Sequence, residues 1–175
     1  RELMSKRILN AEQRAALGAV VAESAYLEHL IEKTIEYLAR MRAGELEILV
    51  SKNIMLGAKI NILEGLALKR VKGKRRKEKL LSLTKRMKDN NTERRNAVHG
   101  IWWHTEAVGI INRAMGVTGE PEAKHSSGGK ISAKAMMGLA DKISATNRDL
   151  LVFSIENWLA PARARGASST ENVRC

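Results

Sequence analysis

Apolar residues recur along most of the chain at alternating steps of three and four, the spacing that places them on one face of an α-helix. In residues 11–43 this face contains Leu17, Val20, Ser24, Leu27, Ile31, Thr34, Leu38 and Met41, of which only the serine and the threonine are polar. The pattern predicts a first helix over residues 11–43, and the pair Ala43-Gly44 predicts where it ends.

The same spacing continues over residues 45–71, and it resumes after a predicted turn at residues 71–74. The second face contains Leu46, Leu49, Asn53, Leu56, Ile60, Leu63 and Ala67. The third face contains Leu80, Thr84, Met87, Asn91, Arg94 and Val98. We therefore expect Asn91 and Arg94 to point toward the interior of a third helix, although both are polar.

Residues 100–130 break this periodicity. Pro121 and six glycines predict a loop, with a short extended pair around residues 107–115. Helical spacing returns over residues 131–159, and Pro161 ends this fourth helix; its apolar face contains Met136, Leu139, Ile143, Leu150 and Phe153. The polar, small-residue-rich segment 161–175 is predicted to be a disordered tail.

Four helices with mostly short connections predict an all-α fold. The expected arrangement is an antiparallel four-helix bundle with a Gly-rich loop insertion between the third and fourth helices. The composition agrees, because 44% of the residues are hydrophobic but only 3% are aromatic, and an aliphatic core favours packed helices over a β-sandwich. At 175 residues, the simplest organisation is one domain over residues 1–160 followed by the tail at 161–175.

Several kinds of site and location are not expected. No apolar run approaches the roughly 20 residues that cross a bilayer, so we predict no membrane partner. The single cysteine, Cys175, leaves no second thiol here for a disulfide, which fits a cytoplasmic location. The histidines His104 and His125 have too few further ligands nearby for zinc, so no metal or other cofactor is predicted.

The positive charge is concentrated in one stretch. The formal net charge is +12, and residues 69–95 contain thirteen basic residues against three acidic ones, a local balance of +10. Such a stretch indicates a polyanionic partner, with RNA or DNA as the first candidate; a solvated surface that aids solubility is the alternative. The residues predicted to contact RNA are Lys72, Lys74, Arg75, Arg76, Lys77, Lys79, Lys85, Arg86 and Lys88.

A second candidate site follows this stretch, where the third helix is predicted to end. Arg94, Arg95, Asn96 and His99 lie within six residues. RNA cleavage needs an acid or base near neutrality, which an imidazole supplies, and a cation that balances the charge developing on phosphorus. The alternatives are structural: a histidine that meets the last carbonyls of a helix, and an arginine whose stem packs in the core.

The segment from Arg94 to His99 resembles the R-x(4–6)-H motif of the HEPN superfamily, with four residues between Arg94 and His99. The following Gly100 and Trp102 resemble the H-G-x-W that closes the motif in many bacterial members. The chain departs from the frequent R-N-x-x-x-H form, because Arg95-Asn96 leaves one residue too few before His99. Either Arg94 or Arg95 could therefore be the motif arginine.

This resemblance implies a helical bundle with the motif on a late helix. It also implies a metal-independent endoribonuclease, a toxin or antiphage defence effector that works as a homodimer with two motifs in one cleft, with a cognate antitoxin protein as a further partner. His99 would then be the catalytic acid or base, Arg94, alone or together with Arg95, would hold the phosphate, and Asn96 would orient a partner or the RNA backbone. The alternatives are a non-catalytic HEPN-like module that binds nucleic acid or nucleotide, and a basic helical interaction scaffold.

Overall fold

The computed structural model of the chain describes residues 9–41, 45, 54–99, 101–105, 109–113 and 132–159. In order, the elements are α1 (Ala11–Ala39), α2 (Leu56–Arg70), α3 (Lys74–His99), β1 (Ile101–Thr105), β2 (Gly109–Arg113) and α4 (Ala133–Ser154), which a π-helical turn (Ile155–Leu159) extends. The all-α class predicted from the sequence is confirmed, since helices account for most of the described residues. In these ranges no helix has both the length and the apolarity that crossing a membrane requires.

Helix α1 is closed at both ends by local hydrogen bonds. At its start, Asn10 and Gln13 bond each other's backbone N–H through their side-chain oxygens, at 2.8 and 3.0 Å, which is a capping box. At its end, Arg40 adopts φ 60°, and the N–H groups of Arg40 and Met41 donate to the carbonyls of Tyr37 and Glu36. This Schellman arrangement usually has glycine in the left-handed position. The helix therefore ends at residue 39, and the predicted end near Ala43-Gly44 is wrong.

The chain divides into two compact units, which we describe separately. Unit 1 comprises Arg1–Leu27 and Arg86–Ser144, and unit 2 comprises Glu28–Lys85 and Ala145–Cys175. The predicted single domain over residues 1–160 stays a prediction, and the predicted tail lies outside the described residues.

The core of both units is aliphatic, as the composition predicts. Buried residues of unit 1 include Ala16, Val20, Met87, Met136, Leu139 and Ile143. Buried residues of unit 2 include Ile31, Ile35, Ile60, Leu63, Leu80, Leu150 and Phe153. All five apolar residues predicted for the face of the fourth helix are buried. Each such side chain stabilises the fold by roughly 1.5–3 kcal/mol relative to an exposed one.

Unit 2 also contains a buried charge. Lys59 on α2 is among the largest fully buried side chains, and its ammonium donates to Glu28 and Glu32 on α1 at 2.5 and 2.6 Å. Burial alone would lower the pKa of Lys59, but the hydrogen bonds and charges of the two glutamates raise it above its ordinary value of 10.5. This ion cluster joins α1 to α2 inside the unit.

The connection between α2 and α3 is short, as predicted. Val71 follows the last turn of α2, and its N–H donates to Ala67. Gly73 has φ 89°, a left-handed conformation that side chains disfavour, and α3 begins at the next residue. Of the second helix predicted over residues 45–71, the structure shows Leu56–Arg70 as α2, whereas the predicted face residues Leu46, Leu49 and Asn53 lie outside the described residues.

A two-stranded antiparallel hairpin follows α3. Its register pairs Ile101 with Arg113 and Thr105 with Gly109. The second strand lies in the region where the sequence predicted an extended pair, whereas the first begins earlier, just past the end of α3. Isoleucine and tryptophan favour extended backbone, and the glycine-rich composition of residues 100–130 hid this signal. The rest of the predicted loop, residues 100, 106–108 and 114–130, lies outside the described residues.

Candidate functional site

The last two turns of α3 hold the polar residues of the R-x(4–6)-H pattern. Arg94 is half-buried, and its Nε is buried with no hydrogen-bond partner among the described residues. Arg95 and Asn96 are exposed. His99 is the last residue of the helix, and its side chain lies outside what the structure describes. The two arginines thus differ, with Arg94 turned inward and Arg95 turned to solvent.

Asn91 lies one turn before Arg94 on the same face of α3. Its Oδ1 is also buried, and it has no hydrogen-bond partner in the described ranges. The 3–4 spacing of the sequence predicted this inward placement but gave Asn91 no functional role. Arg94 and Asn91 therefore share the half-buried face of α3, whereas Arg95 and Asn96 lie on its exposed face.

This pair of buried polar atoms has an energetic cost. Leaving a buried donor or acceptor unsatisfied costs about 1–3 kcal/mol, and native proteins usually satisfy such groups with protein atoms or water. The Nε–H of Arg94 can donate to a phosphate oxygen, and the Oδ1 of Asn91 can accept from a hydroxyl. The two groups together match the polar chemistry of a ribose–phosphate link.

Neighbouring residues of α3 bond to α4 within unit 1. The carboxylate of Glu93 accepts from the ammonium of Lys142 at 2.9 and 3.1 Å, between two exposed side chains. The amide of Asn90 donates to the carbonyl of Lys142 at 3.5 Å. These contacts lie on both sides of Asn91, and they agree with the rotation of α3 that buries Met87 and Ala97 and turns Arg94 inward.

A second candidate surface lies at the α2–α3 connection, inside unit 2. We call it the basic turn, and it consists of Lys69, Arg70, Lys72, Lys74, Arg75, Arg76, Lys77 and Lys79. All of these are exposed except the half-buried Lys77, and Glu78 is the only acidic residue between them. Of the eight, Lys79 is the one with an ion-pair partner in the described part of the chain, Glu156 at 3.3 Å.

The remaining residues of the predicted RNA-binding set lie farther along α3. Lys85 is exposed and belongs to unit 2. Arg86 and Lys88 are half-buried, belong to unit 1 and already have interaction partners. The structure therefore groups Lys72, Lys74, Arg75, Arg76, Lys77 and Lys79 on one short segment, and it adds Lys69 and Arg70 from the last turn of α2, which the prediction had left out.

Neither a metal site nor a known relative adds to this description. Within the described ranges, no three His, Cys, Asp or Glu side chains are grouped so that they could hold a metal ion. Comparison with protein-family models, curated proteins and solved structures gives no significant match. The residues of this chain are therefore the basis on which its function is inferred.

Proposed function

We propose that this protein binds nucleic acid, single-stranded RNA in the first place, through the basic turn. The supporting observation is the exposure of seven of its eight basic residues on one segment with one acidic residue among them. Phosphates are contacted by such side chains through charge, which gives affinity without reading sequence. A surface that served solubility alone would be better built from interspersed charges of both signs.

The binding proposal is tested with a labelled single-stranded RNA in fluorescence anisotropy at several salt concentrations. We expect the double variant Arg75→Gln/Arg76→Gln to bind at least about tenfold more weakly, with a salt slope shallower by roughly 1.4, because two phosphate contacts are lost. The control is Lys134→Gln/Arg148→Gln, which removes the same charge from exposed positions of α4. Equal losses in both variants would show a non-specific effect of net charge.

A second candidate function is RNA cleavage at the end of α3. Arg94 and Asn91 favour it: both side chains are half-buried, and each has one buried polar atom without a hydrogen-bond partner among the described residues, of a kind that binds the sugar–phosphate backbone. In this proposal Arg94 holds the phosphate and His99 transfers the proton, while the exposed Arg95 and Asn96 contact the flanking strand. The protein would then be a HEPN-like endoribonuclease: an antiparallel helical bundle that acts in the cytoplasm as a homodimer, under the control of an antitoxin protein.

The cleavage proposal is tested by incubating the protein with single-stranded RNA in the presence of EDTA. We expect cleavage by the wild type and none by His99→Ala. Arg94→Gln should abolish cleavage, whereas the matched Arg95→Gln should reduce it several-fold at most. If the wild type binds RNA without cutting it, the ribonuclease candidate is wrong and the binding function stands.

A further inference from the structure

Unit 2 contains a cavity of about 470 Å³ beside the C-terminal part of α1. Its volume falls in the range of small-molecule sites, roughly 300–1,000 Å³. Leu30, Met41 and Leu151 supply its apolar lining. Tyr37 and Trp158 supply an aromatic wall, with their rings stacked at 4.8 Å between centroids and 22° between planes. We call this cavity the aromatic pocket.

The polar atoms of the aromatic pocket are mainly acceptors. Thr34 and Ser154 both line it, and the hydroxyl of each donates its proton to a carbonyl of its own helix, at 2.8 and 2.9 Å. Their oxygens therefore keep lone pairs for a ligand. The side chain of Glu36 is only 16% exposed, and its carboxylate accepts from the ammonium of Lys33, whose side chain is 54% exposed, at 2.8 Å. A ligand that fits these groups has a flat apolar body with N–H donors, and it can place an anionic group near Lys33.

Aromatic contacts connect the pocket to the basic turn within the same unit. The ammonium of Lys79 lies 5.9 Å from the ring centroid of Phe153. The ring of Phe153 in turn meets Trp158 edge-on at 5.2 Å. An RNA strand whose phosphate is held by Lys79 would therefore be separated from Trp158 of the aromatic wall by the ring of Phe153.

We propose that the aromatic pocket receives a nucleobase, namely an unpaired base of the strand bound at the basic turn. The inference that the base belongs to a bound strand rests on the function proposed above. The inference that the ligand is a base rests on the lining of the pocket itself. Proteins that hold single strands combine a basic surface with aromatic side chains on which bases stack. The exocyclic amino groups of adenine, cytosine and guanine can donate hydrogen bonds to the carboxylate of Glu36 and to the hydroxyl oxygens of Thr34 and Ser154.

The test compares two ten-nucleotide strands of equal charge, an oligoadenylate and an abasic ribose–phosphate strand, at one salt concentration. The wild type should bind the oligoadenylate roughly tenfold more tightly, the gain expected from stacking about one base. Ser154→Leu, which places an isobutyl group in the cavity, and Tyr37→Ala, which removes part of its wall, should lower the affinity for the oligoadenylate to that for the abasic strand. Both variants should bind the abasic strand like the wild type, which also shows that unit 2 is folded.

Tyr26→Ala is the matched control, because Tyr26 is on the same helix and is 46% exposed, against 49% for Tyr37. It should keep the preference for the oligoadenylate. Equal binding of both strands by the wild type, or a preference that survives both pocket variants, would overturn the inference while leaving the binding function intact. Failure to bind either strand would overturn the binding function as well. Competition with adenosine monophosphate shows whether the base comes from a free nucleotide or from the bound strand. If micromolar adenosine monophosphate removes the preference for the oligoadenylate, the pocket prefers a free nucleotide. If millimolar amounts are needed, the pocket prefers a base of the strand.

Discussion

Lys59 on α2 donates a hydrogen bond of 2.5 Å to the carboxylate of Glu28 on α1. Glu32 accepts a second one at 2.6 Å, so the cluster has one positive and two negative charges. The side chain of Lys59 is only 2% exposed, whereas both glutamates are partly exposed. Since a buried charge is stable only when it is paired and hydrogen-bonded, the packing of α1 against α2 in unit 2 depends on this cluster.

The first prediction concerns the loss of the lysine. Lys59→Ala should lower the free energy of unfolding by about 2–4 kcal/mol, because it leaves a cavity and two carboxylates without their cation. Lys59→Met fills the space but also leaves the two carboxylates without their cation, so it should cost less than Lys59→Ala by about the cavity contribution, roughly 1–2 kcal/mol. Lys33→Ala, which removes a surface partner of Glu36, should cost under about 0.5 kcal/mol. Urea unfolding measures all three, and an equal cost for Lys59→Ala and Lys33→Ala would contradict a structural role of the cluster.

The second prediction concerns pH. The pKa of Lys59 is higher in the folded chain than its ordinary value of 10.5, because the hydrogen bonds and charges of the two glutamates outweigh desolvation. A raised pKa contributes stability that is complete below the unfolded pKa and is lost as pH rises through the folded one. The stability of the wild type minus that of Lys59→Met should therefore be constant from about pH 7 to 9.5 and fall above about 10.5. Urea titrations across this range check it, and a fall confined to neutral pH would be evidence against the assignment.

The third prediction concerns the left-handed residue at the end of α1. Arg40 has φ 60°, a conformation that costs a residue with a Cβ about 1 kcal/mol. Arg40→Gly should therefore raise the free energy of unfolding by roughly 0.5–1 kcal/mol. Arg40→Ala retains the Cβ and should change it little, which makes it the control. Stabilisation by alanine equal to that by glycine would assign the effect to the lost charge.

The accuracy of the sequence-based predictions differs between these sites for physical reasons. The face of α4 was predictable because its apolar residues follow a regular 3–4 spacing and tertiary packing agrees with it. Lys59 lies at that same spacing between Leu56 and Leu63, so a signal was present, but lysine is so often exposed that only the contact with two glutamates distant in sequence reveals its burial.

The end of α1 had no such signal, because arginine replaces the glycine that usually marks a left-handed cap.

The candidate site was predictable in part. The spacing of α3 placed Asn91 and Arg94 on the inward face. That the Oδ1 of Asn91 and the Nε of Arg94 have no hydrogen-bond partner in the described ranges depends on what packs around them and is visible only in three dimensions. The basic turn was evident from charge alone, but the aromatic pocket joins residues far apart in sequence and had no local pattern.

The last prediction separates stability from function at two adjacent asparagines. Asn90 donates to the carbonyl of Lys142, whereas the Oδ1 of Asn91 is buried with no hydrogen-bond partner among the described residues. Asn91→Leu, which keeps the branched shape and the number of heavy atoms, should raise the free energy of unfolding by about 1–2 kcal/mol, because it removes an unsatisfied buried acceptor. Asn90→Leu should lower it by about 1 kcal/mol, because it removes a bonded donor.

The same two variants show whether Asn91, despite the stability that its unsatisfied acceptor costs, takes part in RNA binding or cleavage. Natural sites often keep unfavourable polar groups because function requires them. If Asn91 helps to hold a ribose–phosphate link, Asn91→Leu should be more stable than the wild type and yet bind or cleave RNA at least several-fold less well. Thermal unfolding measures the stability of each variant, and RNA binding and cleavage assays on the same preparations measure its function. A stabilised Asn91→Leu variant with unchanged RNA binding and cleavage would exclude this residue from the site and would remove one of the two observations that favour cleavage at the end of α3.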